Sequence, residues 1–465
     1  MPKRLRSFRI GRVRGYLRGR IWYLQYHDSG VRRRPRVGPD LAAARRLAAQ
    51  TSAQLESGDV ALLSFEPLAI PELRRRWLEH HEHVLRSSIH TVDRYRTATE
   101  HLLTFLQEVR PVRLASVFTA RDAEAFVRYL RTIEVAPNGH QNTAKRRLRD
   151  KGVKYILETC RSLFTYAAKR RHLSPYAANP FSTIEIDRIP VEDAKPVVLF
   201  TAEQERQFLE ACDDWQFPIF LTLMLTGLRP GELAHLLLPD DLDLENRVLY
   251  VRNKPQLGWQ VKTRSERAIP LVPLLAEVLR EVLGGRERGA VFLRPSYGRS
   301  GRIPPLAAKD RKELEAEAAS RLSRQELQLS RVLLRTERAA ILRRVWRDLG
   351  AIKADRIRTE FIRLATRCGI PGATAPKLLR HMFATCLQDA NVDPLVRNIL
   401  MGHAPVIPCP DQHGKSGMGL GMTAVYTQTR PETLRRQCEA ALSVRPALHA
   451  AGEWLARRRP SSSGS

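Results

Sequence analysis

The placement of proline and glycine is the feature that most limits how this chain can fold. Within residues 65–184 they lie mainly at the boundaries of segments with apolar residues at helical spacing, for example at Pro111 and Pro137. Residues 306–349 contain neither proline nor glycine. Because proline breaks helices and glycine weakens them, long stretches that lack both predict helices. The chain is therefore predicted to be mainly α-helical.

Two regions depart from the helical pattern. In residues 21–26 apolar and aromatic residues alternate, a turn follows at residues 28–30, and the alanine-rich segment 41–55 has helical spacing. This pattern predicts a small sheet with a helix on one face. Three later segments, residues 248–251, 259–261 and 268–271, predict a second small antiparallel sheet. The predicted fold class is mainly α with small antiparallel β-sheets, that is α+β.

The charge balance indicates the kind of partner. Lysine and arginine number 78 against 49 aspartate and glutamate residues, so the formal net charge is +29 over 465 residues. Such an excess favours a polyanionic partner. Basic clusters recur along the helical region at residues 74–76, 145–147 and 169–171. Any single cluster is equally explained as the charged, solvent-exposed face of a helix. The recurrence of clusters over several helices favours helices that lie along a phosphate backbone.

Several other classes of protein are disfavoured. The longest dense apolar run, residues 219–228, is far shorter than the ~20 residues that span a bilayer, so no membrane segment is expected. The six cysteines form no C-x-x-C pair and no secretory signal is visible, which predicts a reduced cytoplasmic compartment. Cys409, His413 and His403 are close in sequence, but three ligands in a loop without a carboxylate cluster favour no metal site over a zinc site.

Composition shifts divide the chain. We predict a basic N-terminal segment at 1–60, a helical domain at 65–185, a linker at 186–198, a second domain at 199–445 and a basic, disordered tail at 446–465. For residues 1–60 the alternative is a basic tail with local structure only. The helices of residues 306–349 suggest no chemistry, and interdomain or intersubunit packing is their default interpretation.

One motif places an arginine at a tight turn. The segment TGLRPGEL at 226–233 puts Arg229 between a buried helix and the next helix, where a planar guanidinium can be held toward a cleft. Such an arginine suits phosphate recognition. This segment resembles the tyrosine recombinase family, also called phage-type integrases, in which the same turn holds the first catalytic arginine.

Further matches follow in the order that the family shows. Lys262 lies at a hairpin that resembles the one carrying the family's catalytic lysine, and KLLRHMFAT at 377–385 resembles the box of the second arginine, here Arg380. LMGH at 400–403 resembles the next box and contributes His403. Tyr426, the last tyrosine, falls where the family has its nucleophile. Each match alone is weak, but their joint order is specific.

The resemblance implies an activity and roles for these residues. Tyr426 would attack a DNA phosphodiester to form a 3′-phosphotyrosyl bond, which conserves the bond energy so that rejoining needs no ATP, metal or cofactor. Arg229 and Arg380 would bind the nonbridging oxygens, and Lys262 would protonate the departing 5′-oxygen. His403 would hydrogen-bond the phosphate or manage the tyrosine proton. Glu232 and His381 are expected to orient their neighbours.

Two features differ from the family pattern. Lys377 stands where the family often has histidine, three residues before the second arginine, and it titrates differently. We expect it to assist His403. Residues 404–425, which separate His403 from Tyr426, are rich in proline and glycine, so the nucleophile is expected on a mobile arm.

The resemblance also implies partners and an architecture. The implied partner is double-stranded DNA. The implied architecture has an arm-type N-terminal domain and a helical core-binding domain, with four protomers assembled on two DNA sites. Each protomer would donate an element near its C-terminus, with residues 431–444 as the candidate. Accessory DNA-bending or directionality proteins and a mobile genetic element are compatible with this. The alternatives are a type IB topoisomerase and a catalytically idle recombinase-derived DNA-binding protein.

Overall fold

The computed structural model describes residues 6–28, 30–57, 65–136, 139, 142–174, 177–192, 198–403 and 429–458. The chain divides into two compact units, Met1–Lys195 and Pro196–Ser465. Helices are the main elements, and the sheets within these residues are small and antiparallel. The predicted fold class is confirmed.

The first unit begins with a five-stranded antiparallel sheet and one helix. The elements are β1 (Ser7–Ile10), β2 (Val13–Arg18), β3 (Ile21–Asp28), β4 (Val31–Arg33), β5 (Arg36–Gly38) and α1 (Leu41–Ser57). β3 pairs with β2, β4 and β5. Leu24 and Tyr26 alternate into the buried side of β3 and pack with Ala48 of α1. The period of two in the sequence thus correctly predicted this sheet and its covering helix.

Four helices form the rest of this unit. They are α2 (Ile70–Glu79), which continues as a π-helical turn at His80–Val84, α3 (Ile89–Glu108), α4 (Ala120–Thr132) and α5 (Asp150–Lys169). Ser88 and Thr119 cap α3 and α4 through their side-chain oxygens. Phe105, Phe126 and Phe164 are fully buried between the helices.

The purely helical prediction for residues 65–184 misses one element. The two-residue strands β6 (Glu134–Val135) and β7 (Arg146–Arg147) pair antiparallel between α4 and α5. A ladder of two residues is too short to show an alternating pattern, so periodicity did not reveal it.

The second unit is built from twelve helices and five short strands among its described residues. Its helices are α6 (Ala202–Glu210), α7 (Gln216–Thr226), α8 (Pro230–Leu233), α9 (Pro273–Leu283), α10 (Pro295–Gly298), α11 (Arg311–Leu329), α12 (Arg335–Asp348), α13 (Ala354–Arg367), α14 (Lys377–Asp389), α15 (Pro394–Met401), α16 (Pro431–Leu442) and α17 (Pro446–Ala456). Thr201 and Gln204 form a capping box at the start of α6.

The strands of this unit form two small sheets. β9 (Leu242–Asp243), β10 (Val248–Val251) and β11 (Arg267–Pro270) make a three-stranded sheet, and β8 (Leu237–Leu238) pairs with β12 (Gly289–Ala290). The strand predicted at 259–261 is wrong. Those residues belong to the β10–β11 connection, where Trp259 forms only a single bridge with Lys254. Their three alternating residues satisfy the strand pattern, but no neighbouring strand is available to pair with them.

Helix α7 is the central buried element of the second unit. Every residue from Gln216 to Thr226 is buried, and the hydroxyl of Thr222 donates a hydrogen bond to the carbonyl of Pro218 within the helix. The helix ends at Gly227, which has φ 61°. A Cβ at this glycine would lie 2.3 Å from Cδ1 of Phe383, so α14 approaches the end of α7 too closely for a side chain. This close approach positions the Arg229 turn against α14.

Residues 306–349 form a helical hairpin from α11 and α12. Leu314, Leu322 and Val345 of its inner face pack with Leu237 and Leu257, which belong to the same unit. The default expectation of interdomain or intersubunit packing is therefore wrong for this face. Apolar spacing shows which face of a helix is buried but not which surface buries it.

The two helices after the undescribed segment 404–428 also pack within their own unit. Cys438 and Leu442 of α16 are buried in the core of this unit. This burial differs from the expectation that residues 431–444 are donated to a neighbouring protomer. Trp454 of α17 stacks on Phe217 at 5.3 Å. The predicted tail boundary at 446 is thus wrong, because residues 446–456 complete the core.

Two features of the described residues bear on the class of protein. None of their helices is long and apolar enough to cross a membrane. They also contain no cluster of three or more His, Cys, Asp or Glu side chains able to hold a metal ion. Cys409 and His413, named above as two of the zinc ligands, lie outside the described residues.

Candidate active site

The Arg229 turn is fixed by a carboxylate one turn into α8. The backbone N–H of Arg229 donates to Oε2 of Glu232 at 2.9 Å, and its guanidinium Nη1 donates to Oε1 at 2.7 Å. Pro230 begins the helix, so its missing N–H costs no hydrogen bond. The Arg229 side chain keeps about a quarter of its surface exposed and is held at the edge of the unit.

Glu232 also binds a second arginine. The guanidinium of Arg267 in β11 donates to both carboxylate oxygens of Glu232, at 2.7 and 3.2 Å, and to the carbonyl of Leu400 at 2.9 Å. Burial raises the pKa of Glu232, but hydrogen bonds and charge from Arg267, and then from Arg229, outweigh it and lower the pKa below its usual value. Glu232 is therefore an ionised acceptor shared by two arginines, which agrees with its predicted orienting role.

Arg380 lies in the same cluster. Its Nη1 donates to the carbonyl of Gly227 at 2.6 Å, its Nη2 donates to the carbonyl of Met401, and Nη1 is 4.0 Å from Oε2 of Glu232. Burial and then the charge of Arg229 lower the pKa of Arg380 to about 10. Two fixed carbonyl acceptors preorganise this guanidinium, which remains charged at neutral pH.

His403 follows the C-terminal end of α15 and faces the arginines. Its backbone N–H donates to the carbonyl of Asn398 at 3.0 Å. Burial lowers the pKa of His403, and the charges of Arg380, Arg229 and Arg267 lower it further. The imidazole is therefore neutral at pH 7 and is able to donate one hydrogen bond and accept another.

The turn that holds Lys262 is connected to the cluster through the next residue, Thr263. Lys262 is exposed in a turn of the β10–β11 connection, and the hydroxyl of Thr263 donates to the carbonyl of Gly402 at 3.3 Å. Because Gly402 precedes His403, this contact places the Lys262 turn beside the histidine. The β10–β11 connection is longer than a tight hairpin and includes a 3₁₀ turn at Pro255–Leu257.

Lys377 and His381 lie on the first turns of α14, before and after Arg380. Lys377 is exposed at the start of the helix. Burial lowers the pKa of His381, and the nearby charges of Lys377 and Arg380 lower it further. Lys377 therefore acts on His381 electrostatically in this structure. Tyr426 and the loop expected to deliver it lie outside the described residues.

The structure thus brings Arg229, Glu232, Arg380 and His403 into one cluster, with Lys262 and Lys377 at its edges. Sequence reasoning missed the part played by Arg267. A signal was present, because Arg267, Ile269 and Leu271 alternate on the buried side of the β11 segment. An arginine in phase with buried aliphatic residues needs a buried acceptor, and Glu232 supplies it.

The ion pair between Glu232 and Arg267 predicts a large stability effect. Both side chains are about 2–3% exposed. Replacing Glu232 by alanine leaves a buried guanidinium without a carboxylate, so we expect the free energy of unfolding to fall by about 3–5 kcal/mol. This contribution is present above the usual carboxyl pKa and is lost as pH falls through the lowered one.

Urea unfolding of the full chain measures this loss. Glu203→Ala is the matched control, because Glu203 pairs with Arg206 in water on the surface of α6. We expect the control to change stability far less. Equal effects of the two substitutions would contradict a structural role for the buried pair.

Comparison with known proteins identifies the domain that carries this cluster. Residues 199–406 match the model of the phage integrase family. Over these residues the chain is similar to phage integrases. The match covers Arg229, Lys262, Arg380 and His403 and ends before Tyr426.

Curated relatives and solved structures agree with this assignment. The chain is 30% identical over 122 residues to the transposase from transposon Tn916 of Enterococcus faecalis and, equally, to that from transposon Tn1545 of Streptococcus pneumoniae. The aligned part is 23% of this chain and 30% of each relative, so the chain spans about a third of their length.

Two solved structures of integrases are similar to this chain. A transposon Tn1549 integrase in complex with transposon right end DNA has a TM-score of 0.50 at 18% identity, covering 80% of this chain and 99% of that one. A lambda integrase dimer bound to a core site has a TM-score of 0.47 at 16% identity, covering 84% and 91%. At this identity the Tn1549 structure supports the fold of the phage integrase domain and nothing finer.

Proposed function

We propose that this protein is a site-specific DNA recombinase that cleaves and rejoins DNA through a 3′-phosphotyrosyl intermediate. The observation that carries the proposal is the charge of the cluster. Arg229, Arg267 and Arg380 share one carboxylate, Glu232, so the group holds an excess of two positive charges. Preorganised guanidinium donors are suited to a phosphate whose negative charge grows in the transition state.

The reaction assigns one role to each residue. The Tyr426 oxygen attacks the phosphorus, a new phosphotyrosyl bond forms at the 3′ side, and the bond to the 5′-oxygen breaks. Lys262 donates the proton that this oxygen takes up, and Arg229 and Arg380 hold the nonbridging oxygens. The neutral imidazole of His403 takes up the proton that the Tyr426 hydroxyl loses, with Lys377 and His381 at the rim. Rejoining is the reverse, so ATP is not consumed.

The proposed partner is duplex DNA, and the structure refines which basic residues face it. Arg75 and Arg76 form ion pairs with Glu72, which neutralises part of one cluster named above. Arg146 and Arg147 of β7, by contrast, are exposed. We therefore assign the β7 arginines, rather than those of α2, to phosphate contacts. We propose that residues 1–60 form the arm-type domain and residues 65–185 the core-binding domain. The proposed assembly is a tetramer on two DNA sites.

Salt dependence tests this assignment. Affinity for duplex DNA is expected to fall linearly with salt on a log–log plot, with a slope of about 0.9 per phosphate neutralised. The double variant Arg146→Ala, Arg147→Ala should reduce the slope by up to about 1.8 if each arginine neutralises one phosphate. The control Arg75→Ala, Arg76→Ala removes the same charge from paired positions and should leave the slope nearly unchanged. A flat dependence for the unaltered protein would refute DNA binding as proposed.

A nicked suicide substrate separates the three candidate activities. An idle DNA-binding protein forms no covalent adduct on it. A type IB topoisomerase forms an adduct but exchanges no strands between two sites. The proposed recombinase forms the adduct and, with two intact sites, exchanges strands.

A further inference from the structure

The turn that carries Lys262 is bound on both sides by one asparagine. Oδ1 of Asn253 accepts the backbone N–H of Val261 at 2.9 Å, and its Nδ2 donates to the carbonyl of Arg264 at 3.1 Å. Lys262 lies between these two bonded residues. Arg264 has φ 57°, a left-handed conformation that costs a non-glycine residue about 1 kcal/mol or more. The hydrogen bonds of Asn253 therefore hold a turn that the local sequence does not favour.

Asn253 is in turn tied to the helical hairpin α11–α12. Nη2 of Arg311, the first residue of α11, donates to the carbonyl of Asn253 at 3.0 Å. Nε1 of Trp346 in α12 donates to the carbonyl of Leu257 at 2.9 Å. Leu342 packs so closely on Gly258 that a Cβ there would lie 2.8 Å from its Cδ1. Both helices thus contact the β10–β11 connection.

The same hairpin reaches the Arg229 turn through His235. The His235 ring stacks on Trp259 at 5.0 Å and meets the Trp346 ring edge-on at 4.5 Å. Burial lowers the pKa of His235 to about 4, so the ring is neutral and its Nδ1–H donates to the carbonyl of Gly231 at 2.6 Å. Gly231 lies two residues after Arg229. The hairpin is therefore in contact with the elements that carry two of the proposed catalytic cations, Lys262 and Arg229.

We propose that the α11–α12 hairpin positions Lys262 for proton donation, and that Asn253 is the positioning residue through which it acts. A lysine on a long flexible stem is an effective acid only when its backbone is fixed, since a displacement of about 1 Å costs on the order of a hundredfold in rate. This inference rests on the proposed function, because it assumes that Lys262 protonates the 5′-oxygen.

Two substrates isolate the proton-donation step. One is the ordinary suicide substrate, and the other carries sulfur in place of the bridging 5′-oxygen. A thiolate leaves without a proton, because thiols have a pKa of about 8.5, far below that of an alcohol. Loss of the acid or of its positioning therefore slows the oxygen substrate and spares the sulfur substrate. A general structural defect slows both.

The variants are Asn253→Ala and the milder Arg311→Ala. We expect Asn253→Ala to cleave the oxygen substrate about 10–100-fold more slowly and the sulfur substrate at nearly the unaltered rate. Arg311→Ala should show a smaller loss with the same selectivity. Arg324→Ala, an exposed arginine on the same helix α11, is the charge-matched control and should affect neither substrate. Thermal melting of each variant monitors folding.

Lys262→Ala separates failure of this inference from failure of the proposed function. If sulfur restores cleavage by Lys262→Ala but not by Asn253→Ala, the positioning role is overturned and the proposed function stands. If sulfur fails to restore cleavage by Lys262→Ala, the lysine is not the acid, and both the positioning inference and the acid role proposed for Lys262 are overturned. If Asn253→Ala slows cleavage of the two substrates equally, Asn253 has only a structural role and the positioning inference is overturned.

Discussion

Arg380→Ala is expected to slow DNA cleavage by a factor on the order of a hundred or more, equivalent to ~3 kcal/mol of transition-state stabilisation. Its guanidinium is 6% exposed and fixed by the carbonyls of Gly227 and Met401, so it is already oriented before substrate binds. Single-turnover cleavage of the suicide substrate at saturating protein measures the loss. Arg358→Ala, an exposed arginine on α13, is the matched control and should cleave normally.

Two further variants test whether unfolding, rather than loss of phosphate binding, causes the slower cleavage. Arg380→Lys keeps the charge but not the planar fork of donors, so most of the rate loss should remain while the buried charge is retained. Arg229→Ala, at a partly exposed site, should produce a loss of similar size with less destabilisation. Cleavage within a few-fold of the unaltered rate in Arg229→Ala and Arg380→Lys would contradict the proposed phosphate clamp.

Tyr426→Phe is expected to abolish the covalent adduct altogether while DNA affinity is retained. The substitution removes one oxygen and leaves the ring, so only the nucleophile is lost. Tyr297, a half-buried tyrosine of α10, provides the control Tyr297→Phe, which should form the adduct normally. Gel-shift titration and the adduct assay on the same substrate report binding and chemistry separately.

The sequence predicted the elements whose signals are local. The alternation in β3 and the helical spacing of α1 both depend on residues a few positions apart. The order of the arginine, lysine and histidine motifs also led to the family that residues 199–406 match. Glu232, which is expected to orient its neighbours, lies one helical turn from Arg229 and accepts two hydrogen bonds from it.

The features that the sequence did not predict depend on distant partners. Arg267 binds Glu232 across 35 positions, and Trp346 contacts Leu257 across 89. Periodicity describes one element at a time, so it does not identify the surface on which the α11–α12 hairpin packs. It also assigned a strand to residues 259–261, where Trp259 instead stacks on His235. Such errors arise where tertiary contacts override local pattern.

The proposed chemistry is tested most directly by isolating the covalent adduct in EDTA and mapping its attachment. Two arginines and a lysine supply the charge that a metal-dependent nuclease takes from divalent cations, so cleavage should proceed in the chelator. The account predicts a peptide containing Tyr426 joined to the 3′-phosphate of the cleaved strand. An adduct that persists in Tyr426→Phe, or cleavage that requires magnesium, would contradict it.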